Sequence, residues 1–189
     1  GLTGSGAVNI VTKSGGNEVR GSAFFFWRDD KLAARIGQTA APFDREQFGF
    51  NVGGPFVRNR LFWFLNYERN NQDAAVVTNI PIFPQFNRTW PSPSDERMAT
   101  ARLDWNVTRS VRAFFRFTHD WSVGIPGRTL AGTKLAPLET SNNANQTAVA
   151  LDATAGRFTH SVRLGYTNTD KASDLALDKT PGMPRTVDP

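Results

Sequence analysis

Catalysis and metal binding need reactive side chains held together, and this chain carries few of them. It has no cysteine and only two histidines, His119 and His160, so neither a disulfide framework nor a thiolate or imidazole metal centre is expected. His119 stands beside Asp120, but neighbours in a strand point to opposite faces, which separates a base from its orienting carboxylate. The glycines Gly4 and Gly6, and the pair Gly15-Gly16, lack the strand-to-helix context of a phosphate cradle. Tight backbone passage is their expected role. No catalytic, metal or cofactor-binding residue is therefore assigned, no cofactor is implied, and the chain does not read as an enzyme. What does recur is a set of polar side chains: Asn51, Asn66, Glu68, Arg102, Asp104, Arg112, Arg116 and Arg163. They are suited to contacting a ligand or another part of the protein, or to cross-strand pairing in a wet interior, where a pair contributes roughly 0.2–1 kcal/mol. Pairing is the expected role of each, with Arg102 and Arg116 near Asp104 and Glu68 as ion pairs.

The elements that must position these groups are strands. From Ser161 to Thr167, Val162, Leu164 and Tyr166 alternate with Ser161, Arg163, Gly165 and Thr167, so one face is apolar and the other polar. In Arg60 to Arg69, the shared parity of Asn66 and Glu68 assigns Leu61, Trp63, Leu65 and Tyr67 to the apolar side. The expected partner is Gln47 to Phe56, joined through a hairpin turn at Arg58-Asn59. A second pair joins Met98–Trp105, with Leu103 and Trp105 on the apolar side, to Val111–Thr118, with Phe115 and Phe117. A third joins Thr147–Ala153 to Phe158–Thr169. With Ser22 to Trp27 counted first, the reading is an all-β, antiparallel up-and-down meander of seven strands. No helical period stands out apart from a single turn at Lys31 to Ala34, and no long repeat suggests a propeller or solenoid.

The connections alternate between two sizes. Tight turns fall at Arg58-Asn59, Val107-Thr108 and Ala155-Gly156, whereas 28–46, 70–95, 120–146 and 170–189 read as long polar loops. Short turns on one side and long loops on the other are the pattern of an outer-membrane β-barrel, with the turns periplasmic and the loops extracellular. Aromatic placement agrees. Trp27, Tyr67, Trp121 and Tyr166 fall where strands approach the long loops, and Phe56, Trp105 and Phe158 near the turns, as two interfacial girdles would require. No stretch reaches the roughly 20 apolar residues of a transmembrane helix, so a membrane would be crossed by strands, with the apolar side chains toward lipid. The formal charge of +5 over 189 residues comes from basic residues spread singly or in pairs, which argues against nucleic acid as a partner.

One segment falls outside the hairpin plan: Gly4-Ser5-Gly6-Ala7-Val8-Asn9-Ile10-Val11-Thr12-Lys13-Ser14-Gly15-Gly16-Asn17-Glu18, followed by Gly21-Ser22-Ala23-Phe24. It resembles the junction between plug and barrel in TonB-dependent outer-membrane transporters. The resemblance continues through Phe26-Trp27-Arg28-Asp29-Asp30, Ala33-Ala34-Arg35, Gln47-Phe48-Gly49, Gly53-Gly54-Pro55, Leu61-Phe62-Trp63-Phe64 and Asn66-Tyr67-Glu68, and is greatest to the Oar-like branch. It is dense over about the first seventy residues. It implies that 1–20 end a plug domain, with Asn9, Thr12, Lys13, Gly15, Gly16 and Gly21 at the junction, and that 21–189 are the first strands of a barrel of about 22 strands with a plugged lumen. The implied partners are outer-membrane lipid, an extracellular ligand such as a siderophore, carbohydrate or peptide, and the TonB complex acting through parts of the protein outside this chain. The chain begins Gly1-Leu2-Thr3, ends Val187-Asp188-Pro189 and has no initiator Met, and is read as part of something longer. Its edge strands should then lack partners and its apolar face should lack protein cover.

Two other readings fit the same residues. One is an outer-membrane adhesin or other barrel that transports nothing. The other is a soluble all-β carbohydrate-binding module, which would bury Val162, Leu164 and Tyr166 in a core of its own.

Overall fold

The computed structural model describes residues 13–32, 43–78, 81, 82, 84, 87–125 and 138–175. Asn9 and Thr12, Ala33-Ala34-Arg35, Phe83 and Phe86, residues 126–137 and the segment after Leu175 lie outside the described residues.

Eight strands form among the described residues: Arg20–Asp29 (β1), Phe43–Val57 (β2), Leu61–Thr78 (β3), Arg88–Pro91 (β4), Ser94–Asn106 (β5), Val111–Gly124 (β6), Leu138–Ala155 (β7) and Phe158–Leu175 (β8). Seven of them make one antiparallel meander in the order β1-β2-β3-β5-β6-β7-β8, and β4 pairs with the outer end of β3. The three expected hairpins are present. β2 turns into β3 through Arg58-Asn59-Arg60, with Arg60 N–H bonded to the Val57 carbonyl at 3.0 Å and Asn59 in the left-handed region at φ 62°. A bulge between Pro55 and Val57 precedes that turn. Gly156, at φ 58°, makes the turn between β7 and β8.

The strands run farther than alternation alone suggests. β1 extends beyond Ser22–Trp27 at both ends, and β2 starts at Phe43, inside the expected first loop. β3 continues to Thr78, and its last residues pair with β4, so much of the expected 70–95 loop is a hairpin extension. β6 continues to Gly124, β7 begins at Leu138 and β8 reaches Leu175, which shortens the expected 120–146 and 170–189 loops. The reason is physical. The ladder is made by backbone groups, so polar runs such as Asn70-Asn71-Gln72 and Ser141-Asn142-Asn143 pair as well as apolar ones once a neighbouring strand is in register.

Registration sorts the side chains into two faces. Directly opposed residues in an antiparallel pair share a face. One row crosses the sheet as Gly54, Trp63, Leu103, Phe115, Val149 and Leu164. The next row toward the turns holds Leu61, Trp105, Ala113, Leu151 and Val162, and the next toward the loops Val52, Leu65, Ala101, Phe117, Thr147 and Tyr166. The large side chains of this apolar face are open: Val162 is 52% exposed and Leu164 and Tyr166 are each 68% exposed. The few buried hydrophobic residues, Phe64, Ala144 and Ala150 among them, lie in rows of the opposite, polar face. β1 and β8 are the two ends of the strand order. An open sheet with an uncovered apolar face is what the sequence led us to expect of barrel strands, and it differs from a soluble domain with its own core.

Gly156 isolates the backbone term, because a Cβ there would meet nothing within 4 Å. Gly156→Val should destabilise the β7–β8 hairpin by about 1–2 kcal/mol, seen as a lower urea midpoint for unfolding of the full-length protein from lipid vesicles. Gly156→Asn should stay close to wild type, since Asn tolerates this region.

Candidate functional site

The polar face is built from the alternate residues of the same strands. Asn51, Asn66, Glu68, Arg102, Asp104, Arg112, Arg116 and Arg163 all belong to it by register. A row of neutral hydrogen-bonding groups crosses its middle: Ser22, Asn51, Asn66, Thr100, Thr118, Gln146 and Thr167, one from each strand of the meander. Asn51 Nδ2 donates to Ser22 Oγ at 2.7 Å, and the Thr100 and Thr118 hydroxyls are 3.1 Å apart.

Charge divides on either side of that row. Toward the turns stand Arg20, Arg102, Arg112, Arg116 and Arg163, with Asp104 and Asp152 among them. Toward the loops stand Glu68, Glu96 and Asp120 with the carboxamides of Gln47, Asn70 and Asn142. Arg116 and Asp120 are separated by four residues of one strand, about 13 Å. Arg28, Arg45 and Lys171 also belong to the loop side.

The expected pairing of Arg102 with Asp104 is present, at 2.6 Å within one strand, and Arg102 also lies over the Phe114 ring at 4.5 Å. Glu68 behaves otherwise. It accepts from Gln47 Nε2 at 2.6 Å and stands opposite Met98, four residues along β5 from Arg102 and farther still from Arg116 on β6, so the expected ion pair does not form. Arg163 pairs with Asp152 at 3.0 Å, and Ser161 donates to the same carboxylate.

A further ion-pair cluster was not anticipated. Asp95 takes Arg69 at 2.7 Å and Arg97 at 2.8 Å, and Arg97 lies over the Trp121 ring at 4.8 Å. These four residues stand on the apolar face where it gives way to the loops. His119 is on that face too, with Nδ1 2.9 Å from Asn145 Oδ1, while Asp120 is on the other. Separation of Arg69 from Asp95 by 26 residues hid the pair, although their parity in two alternating strands was a usable signal.

The residues leading into β1 do not continue the sheet. Residues 13–16 cross the polar face at its turn side, where Asn51, Gly53 and Phe64 line a cleft of about 480 Å³ with Lys13, Gly15, Gly16 and Gly21. The approach is close enough to require glycine: a Cβ on Gly15 would collide with the Trp63 carbonyl, and one on Gly53 would come within 3.2 Å of the Gly15 Cα. Asn17 then ties the strap to the first turn. Its Oδ1 accepts from the Asn59 backbone N–H at 2.7 Å, and its Nδ2 donates to Asn59 Oδ1 at 2.6 Å. Glu18 holds Arg20 in an exposed ion pair of 2.5 Å.

At the loop side a second cleft, about 550 Å³, is bounded by β3, β5, β6, β7 and β8. Among the described residues no group of three His, Cys, Asp or Glu side chains is arranged to hold a metal ion.

The chain matches the family model of the outer membrane beta barrel domain over residues 11–89. That stretch includes the strap, β1, β2, β3 and the first residues of β4. No curated protein and no solved structure matches the chain. Together with the open meander and its exposed apolar face, the match defines the class: this is a β-barrel protein of the bacterial outer membrane.

Strap placement gives a direct test. In the full-length protein, cysteines introduced as Asn17→Cys and Asn59→Cys should join through a short thiol crosslinker, against no native cysteine background in this chain. Adding Gly15→Val should cut the yield several-fold by forcing the strap off the Trp63 carbonyl.

Proposed function

We propose that the protein is a TonB-dependent outer-membrane transporter of the Oar-like kind, taking up a ligand rather than transforming one. On this reading 1–20 end the plug, 21–189 are the first strands of a larger barrel, the apolar face meets lipid and the polar face lines the lumen. The observation that carries it is the path of residues 13–16 along the polar face, locked by Gly15 at Trp63 and by Asn17 at Asn59. A chain coming from inside the lumen has to reach the first strand this way. An adhesin barrel has no need of a strap on its inner wall.

The plug-junction residues Lys13, Gly15, Gly16 and Gly21 line the cleft beneath that strap, in keeping with the resemblance that singled them out. Ligand capture would fall to the connections on the loop side and to the plug apex, followed by a TonB-driven rearrangement of the plug. The division of charge on the polar face supports a wall that contacts solutes. An inert lining would not require arginines at one end and amide-bound carboxylates at the other.

The decisive measurement is accumulation of a labelled peptide and oligosaccharide mixture by cells producing the full-length protein. Removal of TonB should reduce uptake to background while surface binding persists; undiminished uptake without TonB would sink the transporter reading. Orientation is tested separately. Leu103→Arg on the apolar face should lower folding stability in lipid vesicles by about 2–4 kcal/mol, whereas Thr100→Arg on the polar face should change it little.

A further inference from the structure

The segment that enters β1 is attached to the wall in two different ways. Residues 13–16 make no hydrogen bond among the described residues. They lie against Gly53, Gly54 and Trp63 by close contact alone. The residues that follow are fastened. Asn17 exchanges two hydrogen bonds with Asn59, Glu18 accepts from both Nε and Nη2 of Arg20, and Val19 occupies the space that a side chain on Gly54 would need. The change from contact to hydrogen bonding falls at Asn17, just before the β1 ladder begins at Arg20.

Asn59 is braced from behind. Its carbonyl accepts from Asn106 Nδ2 at 3.0 Å, and the Arg60 carbonyl accepts from the Asn106 backbone N–H at 2.8 Å. Asn106 is the last residue of β5, which lies beyond β2 and β3 from β1 in the strand order. A load arriving at Asn17 therefore has a route through the first turn into β5 that bypasses the β1–β2 pairing.

β1 has need of such a bypass. It ends the strand order, so among the described residues only β2 holds it. Its pairing starts with Arg20 opposite Gly53 and ends with Asp29 opposite Asp44. Tension applied at Arg20 opens that ladder from its end, with each pair bearing the whole load in turn. The two bonds between Asn17 and Asn59 are loaded together, and the turn that receives them is tied to a strand in the middle of the sheet.

We propose that Asn17, Asn59 and Asn106 form a mechanical stop. A pull on the chain before β1 strips residues 13–16 from the polar face, uncovers the cleft at Gly53 and Phe64, and is arrested at Asn17 with the first strand still paired. The stop rests on the transporter reading only for the origin of the pull, which there is the TonB-driven movement of the plug. Asn17 and Asn59 are exposed, so bonds broken by an excessive load exchange with water and re-form when it is released.

Force spectroscopy of the full-length protein in a lipid bilayer tests the stop, with handles attached at Lys13→Cys and Ser110→Cys. Load then enters through the strap and leaves through the turn between β5 and β6. Two events are expected. Residues 13–16 come off first and add about 13–14 Å of chain; β1 follows only at a distinctly higher force and adds about 33–36 Å for its own length. Asn17→Ala should lose that threshold, merging both releases into one low-force event, whereas Asn17→Asp, which still accepts from the Asn59 N–H, should retain it. Asn59→Gly suits the left-handed turn and removes one of the two bonds, so its threshold should fall to an intermediate force; it carries the test should Asn17→Ala not fold. Asn106→Ala should lower the threshold as well, an effect that a contact confined to the strap would not produce. A single wild-type event releasing residues 13–29 together would overturn the stop, as would a higher force for 13–16 than for β1, or an unchanged profile in Asn17→Ala and Asn59→Gly. Failure of the transporter reading looks different: the two-step force profile is kept, while uptake by cells persists without TonB.

Discussion

A backbone N–H or C=O left unpaired in hydrocarbon costs several kcal/mol, so a chain with no long apolar helix among its described residues can cross a membrane only as strands paired to one another. That constraint accounts for the length of the ladders from β1 to β8 and for their indifference to side-chain polarity. It also accounts for the uncovered apolar face. In water, a band running from Trp63 through Leu103, Phe115 and Val149 to Leu164 would be an aggregation liability; in a bilayer it is the surface that meets acyl chains.

Because strand pairing is carried by the backbone, side chains on the other face are available for other work. Their arrangement is not that of a generic wet surface. A neutral row from Ser22 to Thr167 separates an arginine-rich zone near the turns from a carboxylate and carboxamide zone near the loops. The strap at 13–16 lies at the β1–β3 side of the turn-side zone, beside Arg20, and the larger cleft opens in the other. One wall thus carries two environments about a dozen ångströms apart, one bordered at β1–β3 by the chain's own N-terminal segment and one open toward the connections.

The hairpins were legible because period-2 alternation and turn residues act locally. Ser161 to Thr167 declares both its faces without any partner, and Asn59 and Gly156 supply the left-handed conformations that their turns need. The ends of the strands were not legible in that way. Asn70-Asn71-Gln72 and Leu138 to Asn143 have no alternation to read, and become strand only because Asp95 and Ser94, or Ser122 and Val123, stand opposite them. The same holds for the salt bridges. Arg102 and Asp104 are two apart and were visible, whereas Arg69 and Asp95, or Gln47 and Glu68, meet only across strands.

By itself the sequence determined the fold class, the existence of two faces, the residues on each and the sites of the tight turns. All of these follow from interactions spanning a few residues: alternation of side-chain direction, and the φ preferences of Asn and Gly. Only the tertiary structure decided how far the strands pair, that Glu68 is held by a carboxamide rather than an arginine, and that residues 13–16 return across the polar face to lie against Gly53 and Trp63. Those outcomes depend on register between strands and on close backbone approach, and neither is encoded in any single segment.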